Sequence, residues 1–421
     1  MRVPVLVVGA GLAGLSTAYH LAKRGRTLRI VERSPIVGGH ATTQLDEGFR
    51  FDKTGHLLHL RDATLREDVL RLLGGDHLVV SRRALVYSEG VYTRYPYQAN
   101  TLGLPPATAY ECLLGFLRRD TTINPKNFEE HCLAHFGEGF SRRFLLPYNS
   151  RLFGVAPREL STTWCDRFLP LPTLEDVLAG AVGAAPRELG YNTSFVYPRL
   201  GIGALADALQ REAPPVETSR ELSSVCLDTR TAVVDGEEIA FDRLVSTLPL
   251  PTLAQKVRDL PAPLVDDTKR LRATSLSYFD VALSRPPRKD FHWVYVPEPR
   301  FPFYRVGAYS AFSAALAPEG CGSLYVELAE RDVTFDQAWP STVAGLVEMG
   351  VVAPEDVRFA RLRRLDPAYV LFDAARDEAT ARLLAHLAER GVDSIGRYGK
   401  WTYASMEDAL LDGRDAAARL G

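Results

Sequence analysis

Neither sign of charge dominates this chain of 421 residues: 50 lysines and arginines face 52 aspartates and glutamates, a formal net charge of −2. A protein built around nucleic acid carries a clear basic surplus, so that class of main partner is excluded. A local anion site needs only a few arginines and is not. Cysteine is scarce, and Cys112, Cys132, Cys165, Cys226 and Cys321 form no CxxC pair. That spacing argues against zinc binding and for scattered thiols in a reducing compartment. No apolar stretch approaches the roughly 18 uninterrupted residues of a membrane-spanning helix. Repeats, low-complexity tracts and obvious linkers are missing too. The apolar start, MRVPVLVVGAGLAGLSTA, is interrupted by Gly9, Gly11 and Gly14, which makes it a strand and a glycine turn rather than a leader peptide. With 46% apolar and 24% charged residues, a cytoplasmic, enzyme-like protein of two or three domains is expected.

What is present begins at that turn. Residues 3–8, VPVLVV, suit a parallel strand buried on both faces. Gly9-Ala10-Gly11-Leu12-Ala13-Gly14 follows, then an amphipathic helix closed by Gly25, then a second strand, LRIVE, ending at Glu32. Gly9 permits the tight turn, Gly11 lets the backbone approach a pyrophosphate, and Gly14 allows close helix–strand packing. Glu32 lies 18 residues past Gly14, where a carboxylate can accept hydrogen bonds from a ribose. A lone GxGxxG is weak; strand, helix and acid together make a dinucleotide-binding unit.

Beyond it, residues 61–185 carry helical periodicity in TLREDVLRLL, AYECLLGFL and NFEEHCLAHF. Short strands are expected from about 220, with a hairpin at Asp235-Gly236, and again over 274–330. Helices are expected over 336–350, 374–390 and 405–420. The fold class expected is α/β: a Rossmann-like dinucleotide domain with an inserted helical domain and an antiparallel-sheet substrate domain. The dinucleotide domain would be discontinuous, over 1–60, 196–260 and 371–421, with the helical insertion over 61–195 and the sheet domain over 261–370.

Several segments specify the family. A second glycine pair, Gly38-Gly39-His40, follows the ribose acid, and Phe51-Asp52-Lys53-Thr54-Gly55-His56 follows that. SSVCLD precedes the hairpin, and GRYGKWTYASMEDALLDGRDAA closes the chain. Together they resemble the amine oxidase and protoporphyrinogen oxidase superfamily of flavoproteins. Within it, the substrate-side segments resemble the UDP-galactopyranose mutases, most of all the eukaryotic type. Those segments are Arg94-Tyr95-Pro96-Tyr97-Gln98-Ala99-Asn100, Pro147-Tyr148-Asn149 with Phe153, and Thr163-Trp164-Cys165-Asp166-Arg167. Gly190 to Phe195 and Tyr295 to Arg305 complete the set, with Tyr369 and Tyr403 at the family's further phosphate-binding positions.

The resemblance implies FAD held by Gly9, Gly11, Leu12, Ala13, Gly14, Glu32, Arg33, Gly38, Gly39, His40, Gly55, His56, Arg82, the backbone of Val225, Gly396, Arg397, Ser405 and Met406. It implies a UDP-sugar or related nucleotide-sugar met by Tyr95, Tyr97, Gln98, Asn100, Asn149, Phe153, Trp164, Arg167, Asn192, Tyr295, Arg305, Tyr369 and Tyr403. The chemistry suits these residue types. Tyr95 and Tyr97 can stack on or edge a uracil, and Gln98 offers an amide to its polar rim. Arg305 and Arg167 can grip a diphosphate, and phenol hydroxyls add neutral donors.

The implied reaction is a redox-neutral pyranose–furanose interconversion in which N5 of reduced FAD attacks the anomeric carbon, with NADPH or NADH as external reductant. Arg305 and Arg167 would stabilise departing UDP, and His56 would tune the flavin. Tyr304, next to Arg305, is expected on the opposite face of its strand as a structural residue. Phe153 stands where the eukaryotic type has tryptophan, and Thr54 replaces the first glycine of its Gly-Gly-His. The alternatives are an oxidase or dehydrogenase of amines or porphyrinogens on the same fold, and a mutase for another nucleotide-sugar.

Overall fold

The computed structural model describes residues 2–184, 189–190 and 193–421. Asn192, expected at the sugar site, lies outside them. The chain forms a mixed α/β fold on two large sheets. In the first sheet the strand order is Leu222–Cys226, Thr231–Val234, Glu237–Ser246, Arg2–Val8, Leu28–Val31 and Val216–Glu217, and Val392–Ser394 also pairs with Glu237–Ser246. The strand Arg2–Val8 is central because its side chains are apolar on both faces, and it runs parallel to both neighbours. The carboxyl ends at Val8, Val31, Ser246 and Ser394 therefore point to one edge, where open parallel sheets bind ligands. The expected hairpin forms with Asp235 at φ 45° and Gly236 at φ 80°, the doubly left-handed turn that joins two twisted antiparallel strands.

Two helices lie against this sheet as a tight pair. Leu12–Lys23 follows the glycine turn, and Met406–Leu420 returns from the end of the chain. Their approach is set by small residues: a Cβ at Gly413 would come within 2.5 Å of the Ala13 carbonyl. Ser16 Oγ also donates to the Leu410 carbonyl at 2.7 Å.

The second sheet runs Val357–Val370, Ala273–Leu283, Gly322–Leu328, Phe303–Ala308, Trp293–Tyr295, Ala84–Ser88 and Val91–Arg94. Every pairing is antiparallel except that of Trp293–Tyr295 with Ala84–Ser88. The last two strands come from the segment expected to be mainly helical, so that segment also supplies an edge of the substrate-side sheet. One face of this sheet is apolar, with Phe279, Val281, Val306, Val326 and Leu328 packed on helix Phe335–Glu348. The alternate residues Asp280, Arg305, Tyr325 and Glu327 necessarily occupy the other face, which looks toward the helices at 128–153 and the first sheet.

Tyr304 does not take the opposite face expected of it. The pairing Phe303↔Leu328 and Arg305↔Glu327 leaves Tyr304 as the extra residue of a bulge. Its ring lies 5.8 Å from that of Tyr148, in the core that Arg305 borders. It is fully buried, as a structural residue should be. No helix among the described residues is long and apolar enough to cross a membrane.

Candidate functional site

The glycine turn is built as a cradle. A Cβ at Gly14 would sit 1.9 Å from the Gly9 carbonyl, and one at Gly9, whose φ is 99°, would sit 2.2 Å from Thr247 Oγ1. Those two glycines are demanded by the protein's own packing. Gly11 is different: the nearest atom to its added Cβ is Gly39 Cα, at 4.0 Å. Its bareness serves the space in front of the turn, where a pyrophosphate can approach the amino end of helix Leu12–Lys23. Gly38 donates its N–H to the Ala10 carbonyl at 2.8 Å and bridges to Gly11, so the second glycine pair closes the same cradle. Arg33, beyond Glu32, is exposed.

Glu32 is tied in on both oxygens, accepting from Ala10 N at 2.7 Å and Ser34 N at 2.8 Å. A carboxylate has further lone pairs for ribose hydroxyls. Val225 departs from its expected role. Its carbonyl already accepts from Arg258 N at 2.9 Å, and its outer edge bridges to Val257, so that backbone edge is taken by protein.

His40, His56 and Arg397 meet at the other end of the cradle. His40 Nδ1 is 3.3 Å from Tyr398 Oη. Burial, and then the Arg397 charge, push the His56 imidazole down to about 4. Burial, and then His56, push His40 to about 3. Both rings are neutral at neutral pH, so His56 is no ready proton donor there. The residue before it, Gly55, is pressed against the second sheet, since its Cβ would fall 2.4 Å from Tyr325 Oη. Ser405 caps helix Met406–Leu420 through a capping box with Asp408, while Gly396, at φ 78°, abuts Ala13. Arg82 donates to the Leu189 carbonyl at 3.2 Å and lies over the Tyr95 ring at 5.3 Å, on the substrate side. The cradle, the acid and the open amino end of helix Leu12–Lys23 suit a flavin dinucleotide.

Arg397 joins this half to the next. Its guanidinium donates to the carbonyls of Ala404 and Ala368, both at 3.2 Å, and lies over the rings of Tyr403 (4.8 Å) and Tyr369 (5.4 Å). Those two rings stack at 6.3 Å. Tyr369 Oη in turn accepts from Arg305 Nη2 at 3.1 Å. Arg305 also makes a forked pair with Glu327, Nε to Oε2 at 2.9 Å and Nη2 to Oε1 at 2.5 Å. The Glu327 side chain is 0% exposed and that of Arg305 is 20% exposed. Its Nη1 has no hydrogen-bond partner among the described residues, which leaves two donors for a ligand.

Tyrosines ring this arginine. Tyr295 pairs across the strand with Arg305, and its ring lies 4.8 Å from Tyr95 and 5.1 Å from Tyr148. Burial raises the Tyr148, Tyr295 and Tyr369 phenols above their usual value, so they remain neutral donors. Phe153, Trp164 and Tyr403 continue the aromatic wall, with Phe153 at 5.3 Å from Trp164 and 6.1 Å from Tyr369. Trp164 Nε1 is buried without a hydrogen-bond partner among the described residues. It offers an indole donor beside the phenylalanine that lacks one.

Other expected substrate residues are spent elsewhere. Arg167 does not join Arg305: its Nη2 sits 2.7 Å from both oxygens of Asp408, with 39% of the side chain exposed. The helix cap at Ser405 brings that carboxylate to it. Tyr97 is a core ring against Phe140 and Phe144. Gln98 Nε2 donates to the Pro170 carbonyl at 2.9 Å, and its Oε1 is buried without a partner among the described residues. Asn100 closes its own turn onto the Pro96 carbonyl, and Asn149 donates to Leu145 one helical turn earlier. Sequence reasoning missed Glu327, Tyr148 as an Arg305 neighbour, and Tyr325. For Glu327 a signal existed: it is the one charged residue in GSLYVEL, a strand buried along its length. Among the described residues no cluster of His, Cys, Asp and Glu could hold a metal ion.

A family model of flavin-containing amine oxidoreductases matches residues 12–320, well over half of the chain. A solved structure of reduced UDP-galactopyranose mutase superposes with a TM-score of 0.93 at 26% identity, covering 100% of this chain and 94% of that one. The dTDP-fucopyranose mutase of Escherichia coli is 27% identical over 169 residues, 37% of this chain and 43% of that protein. A phytoene desaturase of Fusarium fujikuroi is 43% identical over 378 aligned residues, 76% of this chain and 65% of that protein. The chain thus spans less than two thirds of these two relatives' own length.

Proposed function

The chain belongs to the flavin-containing amine oxidoreductase family, and on that footing we propose that it is an FAD-dependent mutase interconverting the pyranose and furanose forms of a nucleotide-sugar. The observation that carries this reading is the Arg305 cluster. An apolar or amine substrate has no use for a buried guanidinium with two free donors, ringed by neutral phenols. A diphosphate needs those donors. The likeness to the two mutases supports the same class, with a UDP- or dTDP-linked sugar as substrate.

FAD fits the cradle of Gly9, Gly11, Gly14 and Glu32, with residues 1–60, 196–260 and 371–421 forming its domain; when reduced, it supplies a nucleophile for the anomeric carbon. NADPH or NADH would be its reductant. The chain's own residues bind and orient. Tyr95 and Tyr295, their rings tilted at 38° to one another, offer aromatic surface to a base, and Arg305 with Tyr369 and Tyr403 receives the diphosphate. Trp164 offers a donor to the sugar, and neutral His56 sits beside the flavin without giving up a proton. Arg167, paired with Asp408 at the rim, is left out of the clamp.

The test is conversion of UDP-galactofuranose, and then dTDP-fucofuranose, by dithionite-reduced protein, with product resolved by anion-exchange chromatography. Pyranose should form with reduced protein and not with oxidised protein. The identity to a phytoene desaturase favours one rival, an oxidoreductase of an apolar substrate. It would show the reverse, turnover by oxidised flavin and none of either furanose.

A further inference from the structure

Tyr295 and Arg305 are joined by a turn whose sequence, VPEPRFPFY over 296–304, contains three prolines. Proline removes a backbone N–H, so this segment has carbonyls without enough donors of its own to satisfy them. The missing donors come from one side chain. Arg151 Nη1 donates to the carbonyls of Val296 and Glu298, each at 2.9 Å, and Nη2 donates to those of Phe301 and Phe303. Arg151 lies on helix Leu146–Phe153, which also carries Tyr148, Asn149 and Phe153.

A second arginine holds the first. Arg331 Nη2 donates to the carbonyls of Arg151 (2.6 Å) and Leu152 (2.8 Å), closing the carboxyl end of that helix. Its Nη1 donates to Leu328 and Ala329, both at 2.9 Å, at the end of the strand that carries Glu327. Three pieces of the site therefore converge on two guanidiniums: the Tyr295–Arg305 turn, the Tyr148 helix and the Glu327 strand. Neither guanidinium meets a carboxylate among the described residues. Burial lowers the pKa of Arg151 to about 10, so it keeps its charge at neutral pH. Arg305, by contrast, is neutralised by Glu327.

We propose that Arg151 and Arg331 are positioning residues of the nucleotide-sugar site, fixing the turn that carries Tyr295 and Arg305 and supplying the net positive charge that the Arg305–Glu327 pair does not. This rests on the function proposed above, and the experiment separates the two.

Lysine keeps the charge but offers one nitrogen, which cannot span four carbonyls; glutamine removes the charge. With flavin-loaded protein, UDP affinity by titration calorimetry should fall about tenfold in Arg151→Lys and in Arg331→Lys, the loss of one or two charge-assisted hydrogen bonds. It should fall further in Arg151→Gln. Flavin content and absorbance should stay as in the wild type, and amide exchange over 296–304 should speed up. Unchanged UDP affinity and unchanged exchange in both lysine variants overturn the positioning role. Equal losses in Arg151→Lys and Arg151→Gln overturn the charge role. If Arg151→Lys does not fold, Arg331→Lys, which reaches the turn through Arg151 and through the Tyr304 ring 5.9 Å from its guanidinium, carries the test. A wild-type protein that binds neither UDP nor dTDP would sink the nucleotide-sugar reading, while amide exchange would still decide whether the two arginines hold the turn.

Discussion

Arg305 and Glu327 show how one buried pair changes the experiment that should be done on either member. Burying a guanidinium and a carboxylate costs several kcal/mol of hydration each, and their forked contact repays it only while both are present. Truncating one partner leaves the other as an uncompensated buried charge. Glu327→Ala should therefore lose about 3–5 kcal/mol of stability in urea unfolding, and a loss below 1 kcal/mol would mean that the pair is not closed in solution. For the same reason Arg305→Ala confounds folding with function, and Arg305→Lys is the sharper probe. It keeps a cation for Glu327 but loses the planar fork. Turnover should fall on the order of a hundredfold or more while the yellow flavin spectrum is retained; loss of flavin instead would place this arginine at the cofactor. Arg305 and Tyr295 were singled out in the sequence through the family resemblance, together with Tyr95, Tyr369 and Tyr403, and the fold brings these residues to one place. Glu327 went unnoticed because a strand-centred acid announces only that it has a partner, not which one. Arg167 failed for the complementary reason. Its partner, Asp408, lies 241 residues away, a distance over which no sequence pattern reports.

At the scale of elements, the glycine turn separates folding from binding within six residues. At Gly14 an added methyl would strike a backbone carbonyl at 1.9 Å, whereas at Gly11 the nearest atom is 4.0 Å away. Backbone cannot yield cheaply, so Gly14→Ala should destabilise the apo-protein by a few kcal/mol and abolish flavin retention with it. Gly11→Ala, with φ near −71°, is free of both clash and strain. It should leave apo stability within about 0.5 kcal/mol of wild type yet strip the flavin. If both substitutions lower apo stability equally, the space before Gly11 is filled by protein. This βαβ unit was readable because a strand buried on both faces, a glycine turn and an amphipathic helix each leave a period in the sequence. The strand Val357–Val370 was not readable, although it is the longest in the protein. It borders the second sheet, and its run RFARLRRLD carries arginines where an alternating apolar face would be sought. Arg361 and Arg363 instead reach Asp46 and Asp280. The bulge at Tyr304 was invisible for a similar reason, since register depends on the partner strand.

Across the whole molecule, the buried carboxyl groups on either side of Tyr309 should shape stability against pH by their titration. Asp52 accepts from Thr43 Oγ1 and Tyr197 Oη, both at 2.6 Å, and burial still raises it to about 6. Asp280, on strand Ala273–Leu283 of the second sheet, lies 3.1 Å from Tyr309 Oη and 3.3 Å from Arg363 Nε, and burial raises it to about 7. A carboxyl whose folded pKa lies above its unfolded value stabilises the fold fully below about 3.9, and that stability is lost as pH rises through the folded pKa. Asp52 thus costs stability between about 4 and 6 and Asp280 between about 4 and 7. Buried histidines oppose this. His20, His56 and His292 are lowered to about 4 and His40 to about 3. Their stabilisation is complete above about 6.5 and disappears as pH falls toward those values. The two groups partly cancel between pH 4 and 6.5. At pH 6.5 the unfolded-state histidines are still half protonated and outweigh Asp280, so the contribution of Asp280 is read from the difference between wild type and a variant that cannot ionise there. Asp280→Asn keeps an acceptor for Tyr309 and removes the ionisation, so its unfolding free energy minus that of wild type should rise between about pH 4 and 7. Urea unfolding of both proteins at half-unit steps decides it. A difference that stays constant with pH would mean that Asp280 ionises as readily in the fold as in the unfolded chain, Arg363 offsetting what burial costs it.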